Sequence, residues 1–186
     1  MSAFRLVSHV LVPCWALGLT ACSGAGPYGH ARLYAPLAGE EEAAKSARDY
    51  DPVMVQRDRD AWHQGNVSLF GVVTARAAGP SGSAYLTLSV RRREPQNLCE
   101  YATDETSCRT TVSDRDFGIV HALVTLHPED DVGERSVGKG SLVRVVGPLA
   151  QDPDPSDGSP VVRPTFYRHW PRYYFVTRSA AATMRQ

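Results

Sequence analysis

The chain has 186 residues, 42% of them hydrophobic, with 20 basic side chains against 20 acidic ones. That length supports one ordinary domain with its own core, and the even charge balance leaves no electrostatic footprint for nucleic acid or anionic lipid, so nucleic acid is not expected as a partner. Beyond the first 22 residues no apolar run reaches membrane-spanning length.

Residues 1–22 read MSAFRLVSHVLVPCWALGLTAC, with Arg5 the only charge. An apolar run from Leu6 to Leu19 is interrupted only by Ser8, His9 and Pro13, and small residues lead into Cys22. A short positive start, a hydrophobic stretch too short to span a bilayer and a Leu19-Thr20-Ala21-Cys22 ending resemble a bacterial lipoprotein signal with its lipobox. The resemblance implies cleavage before Cys22, diacylglycerol on its thiol and an acyl group on its new amine, so residues 1–21 are expected as signal peptide and membrane lipid as a partner. Ser23 stands where an Asp would hold such a lipoprotein back, a pattern that resembles sorting to the outer membrane. The plain alternative is a secretory signal in which Cys22 is incidental.

Residues 22–64 read as a tether and short helix. Residues 23–39 are rich in Gly, Ala and Pro and lack periodicity. Residues 40–50, EEEAAKSARDY, are helix formers with acids in the first turn and almost no apolar stripe, which predicts an exposed helix ended by Asp51-Pro52. Residues 53–64 are ambiguous, with Val53, Val55 and Trp62 as docking candidates.

Residues 65–178 read as the domain. Residues 67–77 are β-branched, with Gly71 marking a bulge or bend, and Gly79-Pro80-Ser81-Gly82 predicts a hairpin turn. From Ala84 to Val90 the pattern is strict period two, with Tyr85, Thr87 and Ser89 opposite Leu86, Leu88 and Val90. Residues 91–116 read as a long polar loop. It carries Cys99 and Cys108, which are left to pair with each other once Cys14 departs with the signal and Cys22 is lipidated; in an oxidising compartment that predicts a disulfide, the zinc alternative lacking both knuckle spacing and a nearby histidine. Residues 117–127 and 141–149 predict two further strands, the second Val-rich and interrupted only by Arg144. Residues 161–177, aromatic-rich with Pro164 and Pro171, predict a broken edge strand, and 179–186 a fraying tail.

Five strands, a leading hairpin and no convincing internal helix predict an all-β class, specifically a small five-stranded OB-like Greek-key barrel. The lipobox, Gly71-Val72-Val73, Leu142-Val143-Arg144-Val145-Val146-Gly147 and Tyr167-Arg168-His169-Trp170-Pro171 together resemble the Slp-type outer-membrane lipoproteins. That resemblance implies an OB-like barrel in an envelope lipoprotein without known catalytic residues.

No HExxH, GxSxG or Walker pattern occurs, so no enzyme activity, cofactor or metal is expected. The expected function is a non-catalytic binding or structural module of the envelope, with an envelope protein or glycan as partner. Alternatives are an accessory subunit, or a metal-binding protein or enzyme using His121, His127 and the acids 129–131. Asp152, Asp154 and Asp157 only superficially resemble a calcium loop. Arg91-Arg92-Arg93 is the densest basic run and suits a surface contact with anionic lipid or polysaccharide. Tyr167, His169, Trp170, Tyr173 and Tyr174 are the candidate aromatic platform for a glycan ring or partner, against the alternative that they plug the barrel.

Overall fold

The period-two stretch builds a two-faced strand: Leu86 and Leu88 are wholly buried and Val90 nearly so, while Tyr85 and Thr87 turn to the opposite face. A computed structural model describes residues 30–180; Cys22 and the signal reading lie outside them. In chain order the elements are β1 (His30–Leu33), α1 (Ala38–Ala44), β2 (Ala47–Asp49), α2 (Pro52–Arg57), α3 (Arg59–His63), β3 (Asn66–Ala78), β4 (Ala84–Arg91), β5 (Gln96–Cys99), β6 (Cys108–Val112), β7 (Ile119–Val124), α4 (Pro128–Asp131), β8 (Leu142–Pro148), β9 (Val161–Val162), β10 (Phe166–Trp170) and β11 (Phe175–Thr177).

The larger sheet runs β10-β8-β3-β4-β7-β9, with β2 added in parallel to the start of β3. The long β3 serves two neighbours: its first half pairs with β8 and its second with β4, the register slipping between Val73 and Ala75. That bulge lies beyond Gly71, the position the sequence suggests for it; Gly71 keeps regular register with Val90 and Val143. Gly71 itself faces Leu88, whose Cβ would lie 2.8 Å from any Cβ added there. The sheet then curls back on itself. Leu149, just beyond β8, bridges Val162, with Ala150 N–H donating to Val161 O at 2.7 Å and Arg163 N–H to Pro148 O at 3.0 Å. Pro164 breaks the last strand into two pieces, so that β9 pairs with β7 and β10 with β8. Val67, Leu69, Val73, Leu86, Leu88, Val120, Val143 and Val145 fill the interior.

The five-strand expectation is corrected. The fold is mostly β, but its sheets have seven and four strands. The additional sheet, β1-β5-β6-β11, comes largely from the stretch read as a polar loop. There β5 and β6 form an antiparallel hairpin with Cys99 directly opposite Cys108, and the expected disulfide joins them. The hairpin hides from sequence patterning because it buries few apolar side chains. Val112 meets Phe70, Leu142 and Trp170 in a second, smaller core outside the curled sheet, with Tyr34, Val72 and Phe175 packed against it. Removing both cysteines (Cys99→Ser with Cys108→Ser) is expected to cost about 2–3 kcal/mol, the loop-closure entropy of a ring this small. Urea unfolding with and without reductant checks it: reductant should shift the midpoint of the parent chain and leave the double variant unmoved.

Local chemistry explains the rest. Asp51-Pro52 opens a helix and does not close one: the Asp51 carboxylate accepts Val53 N–H at 2.9 Å and Met54 N–H at 3.1 Å at the N-terminus of α2, with Pro52 in the first turn. Val55 and Trp62 dock into the main core, whereas Val53 is exposed. Within the stretch read as tether, β1 pairs with β5 along four residues. The expected helix over 40–50 is shorter, because residues 47–49 leave it to pair with β3. Its acids are not all exposed either: Glu40 has no accessible surface. Its Oε1 takes Arg144 Nη1 and its Oε2 takes Arg168 Nη1, each at 2.7 Å. The Tyr34 hydroxyl also donates to Oε1, and Leu37 N–H donates back to Oε2 at 3.1 Å. The carboxylate thereby fastens α1 onto β8 and β10.

Candidate functional site

The five residues of the aromatic platform do not share one surface. Trp170 lies in the second core against Phe70, ring centroids 5.8 Å apart. Tyr167 packs on the main core, and its hydroxyl donates to Asp130 Oδ2 at 2.8 Å while accepting His127 N–H. The His169 side chain is only 3% exposed. Tyr173, at φ 75°, and Tyr174 are exposed, with the guanidinium groups of Arg109 and Arg135 over the Tyr174 ring. Strand alternation in β10 and the turn after Pro171 divide the set.

His169 sits in an arrangement that superficially matches a nucleophile, base and acid. Its Nδ1 lies 2.9 Å from Asp130 Oδ1 and its Nε2 lies 3.1 Å from Ser141 Oγ. Ser141, however, is buried, and its Oγ already accepts Gly138 N–H at 3.2 Å. A nucleophile needs access to its substrate. This triad instead ties α4 to the start of β8 and to β10. Asp131, next in line, pairs with Arg76, which also donates to Val137 O at 2.8 Å.

His121 and His127 do not meet. The His127 ring stacks on Tyr167 at 5.2 Å. His121, on the outer wall of β7, faces the loop between β8 and β9, where its Nε2 lies 3.0 Å from Asp157 Oδ2. Asp154 joins them. The three potential ligand atoms all lie within 4.8 Å of one another, the one such cluster among the described residues. The Tyr85 ring stacks on His121 with centroids 5.1 Å apart, and its hydroxyl donates to Asp154 Oδ2. Hydrogen bonds from Ser156 and then Tyr85 lower the Asp154 carboxyl to about 2, while burial followed by the Asp154 bond raises the Tyr85 phenol.

Arg91-Arg92-Arg93 lines an open cleft of about 350 Å³ between the end of β4 and the β2–α2 connection. Arg92 lies over the Phe117 ring at 4.4 Å and Arg93 over Tyr34 at 4.6 Å. Arg91 donates to the carbonyls of Ser113 and Asp114, and its Nε is buried without a hydrogen-bond partner. Asp49, Tyr50 and Phe70 complete the walls. Burial, then the neighbouring Asp51, pushes the Tyr50 phenol up to about 12. Reading the chain in one dimension missed this cleft, since β2 comes to it from more than forty residues upstream of the arginines.

No protein-family model matches the chain, and no curated protein matches its sequence. Among solved structures it is similar to the protein PriB from Ralstonia solanacearum, at 13% identity and TM-score 0.30, covering 56% of this chain and 97% of that one. It is also similar to a single-stranded DNA binding protein from Thermus aquaticus, at 22% identity and TM-score 0.26, covering 56% of this chain and 49% of that one. A deletion mutant of the Thermus protein gives 23% identity and TM-score 0.27. These neighbours are OB-fold-like. Two of these neighbours are named as single-stranded DNA binding proteins, and the expectation that excluded nucleic acid as a partner is withdrawn. A balanced whole-chain charge does not by itself exclude such a partner, because charge acts locally.

Proposed function

We propose that this protein is a non-catalytic binding module, held in the bacterial envelope by lipid on Cys22, with the cleft beside Arg91, Arg92 and Arg93 as its ligand surface. The cleft carries this reading. Arg91, Arg92, Arg93, Asp49, Tyr50 and Phe117 line one open space. Such a mixture suits an acidic glycan: the cations take its charged groups, the carboxylate its hydroxyls, and the aromatic rings its apolar ring faces. Arg92 is exposed and rests on Phe117, which holds its charge at the cleft without a competing ion pair among the described residues.

Calorimetric titration of the full-length chain with an acidic oligosaccharide is expected to give saturable binding. Arg92→Glu should weaken it by about tenfold or more, the loss of one charge-assisted contact, with little effect on stability at so exposed a position. Preference for a single-stranded oligonucleotide over the glycan would reassign the ligand. Equal binding by the variant would remove the cleft as the site. The anchor has its own check. Protein from a native membrane fraction should have the mass of residues 22–186 plus acyl groups, and Cys22→Ser should leave it unacylated. Among the described residues no helix is long and apolar enough to cross a membrane, so membrane attachment in this reading rests on the lipid.

A further inference from the structure

We propose that His121, Asp154 and Asp157 form a binding site for a late first-row divalent metal ion, of which Zn²⁺ is the representative, on the outer wall of β4 and β7. The His121 side chain is 7% exposed, and its Nε2 points at the carboxylates. A tetrahedral ion with bonds of about 2.0–2.2 Å places its ligand atoms about 3.4 Å apart. His121 Nε2 and Asp157 Oδ2, at 3.0 Å, are already spaced as a ligand pair. Asp154, half-buried in the β8–β9 loop, has a ligand atom within 4.8 Å of both, so a small side-chain adjustment closes the set.

The surroundings are arranged as an outer shell. On each carboxylate the Oδ1 atom is occupied by the loop's own backbone: Asp154 accepts Ser156 N–H at 2.7 Å and Asp157 accepts Ser159 N–H at 2.8 Å. That leaves Asp157 Oδ2 facing His121 Nε2, while Asp154 Oδ2 accepts the Tyr85 hydroxyl and keeps a second lone pair. The Thr87 hydroxyl, 3.3 Å from His121 Nδ1, and the stacked Tyr85 ring orient the imidazole, while the Tyr85 hydroxyl steadies Asp154. Metal-bound histidines are held in this way by a partner on the second ring nitrogen.

Charge also points to a cation. Two carboxylates converge here, and among the described residues neither forms an ion pair with lysine or arginine; their neighbour at that range is the His121 imidazole. A metal ion would replace the direct contact between His121 Nε2 and Asp157 Oδ2. The imidazole ligand selects the metal class, because calcium takes six to eight oxygen ligands, whereas nitrogen with two carboxylate oxygens suits zinc and its neighbours. Three protein ligands leave a position for water on the solvent side. The bound ion would pin the β8–β9 loop across the wall formed by β4 and β7.

The test is calorimetric titration of the full-length, chelator-treated chain with ZnCl₂, with Co²⁺ visible absorption as a second readout. One ion per chain is expected. Tyr85→Phe should weaken binding by about tenfold, within the range for loss of an outer-shell partner, and Asp157→Asn or Asp154→Asn should weaken it by more than about 100-fold. Asp157 is exposed and asparagine keeps the Oδ1 that accepts the loop N–H in each case, so the metal-free melting temperatures of these variants should stay close to that of the parent, which separates lost binding from lost folding. Absence of saturable binding by the parent chain would overturn the site. Unchanged binding in both aspartate variants would overturn it too, by placing the ion elsewhere. Binding of Ca²⁺ as tight as Zn²⁺ would overturn the metal class.

Discussion

Glu40→Ala is expected to lower the unfolding free energy by about 3–5 kcal/mol, the cost of removing one partner from a buried charge network. Glu40 has no exposed surface, and it receives Arg144, Arg168, the Tyr34 hydroxyl and the Leu37 N–H. The alanine variant would leave two guanidinium groups facing a cavity with no counter-charge. Arg144 keeps Ser68 Oγ, at 3.1 and 3.2 Å, but a hydroxyl does not neutralise a cation. Urea unfolding measures the loss. A Glu40→Ala midpoint within about 0.5 kcal/mol of the parent, the usual range for a surface change, would show that α1 is not fastened through this carboxylate.

The same group makes stability depend on acid. Burial raises the Glu40 carboxyl, but the hydrogen bonds from Tyr34, Arg144, Arg168 and the Leu37 N–H outweigh it, and the net shift is downward. A carboxyl lowered by folding contributes stability that is fully present above its unfolded value of about 4.3. That contribution is lost as pH falls through the lowered folded value. Parent stability should therefore fall on acidification below about pH 4, and Glu40→Gln should remove this part of the fall. The comparison is made by denaturant unfolding across that range.

Gly147→Ala is expected to cost about 3 kcal/mol or more, at the upper end of overpacking effects, because the obstacle is backbone. A Cβ at 147 would lie 2.4 Å from Arg163 O and 2.8 Å from Pro164 Cα. No side-chain rotamer can relieve those contacts. Either β8 or the segment from Arg163 to Thr165 has to move, and this is the place where the sheet closes on itself. Arg163 N–H donates to Pro148 O at 3.0 Å and Thr165 N–H to Val146 O at 2.9 Å across the same crossing. Gly65→Ala is the control, since nothing lies within 4 Å of a Cβ added there. The pair is compared by thermal and urea unfolding. Equal midpoints for the two variants would remove the close approach as the reason for glycine at 147.

Several local features are legible in the one-dimensional pattern because they depend on near neighbours. The alternation from Ala84 to Val90 specifies which side of β4 is buried, and Leu86 and Leu88 occupy it. The Val-rich run at 142–146 specifies a strand buried on both faces. Pro164 specifies the break that sends β9 and β10 to different partners, and Cys99 and Cys108, close in sequence, pair with each other. Arg144 carried a further signal: a lone charge inside a buried apolar strand demands a buried counter-charge. What it could not name was Glu40, more than a hundred residues away and set in a run of acids that looks solvated.

Composition and spacing by themselves determined a mostly β chain, the inward faces of its central strands, one disulfide and the resemblance of its first 22 residues to a lipoprotein signal. Tertiary structure alone decided that the polar stretch after Arg91 forms a second sheet, since its pairing with β1 and β11 is made by backbone groups that leave no hydrophobic period. It decided that Tyr167, His169 and Trp170 turn inward while Tyr173 and Tyr174 face solvent. It also brought His121 to Asp154 and Asp157, and Arg92 to a cleft walled by β2. Each of these depends on which distant segments the curled sheet brings into contact, and side chains that meet only through closure have no spacing in sequence to announce them.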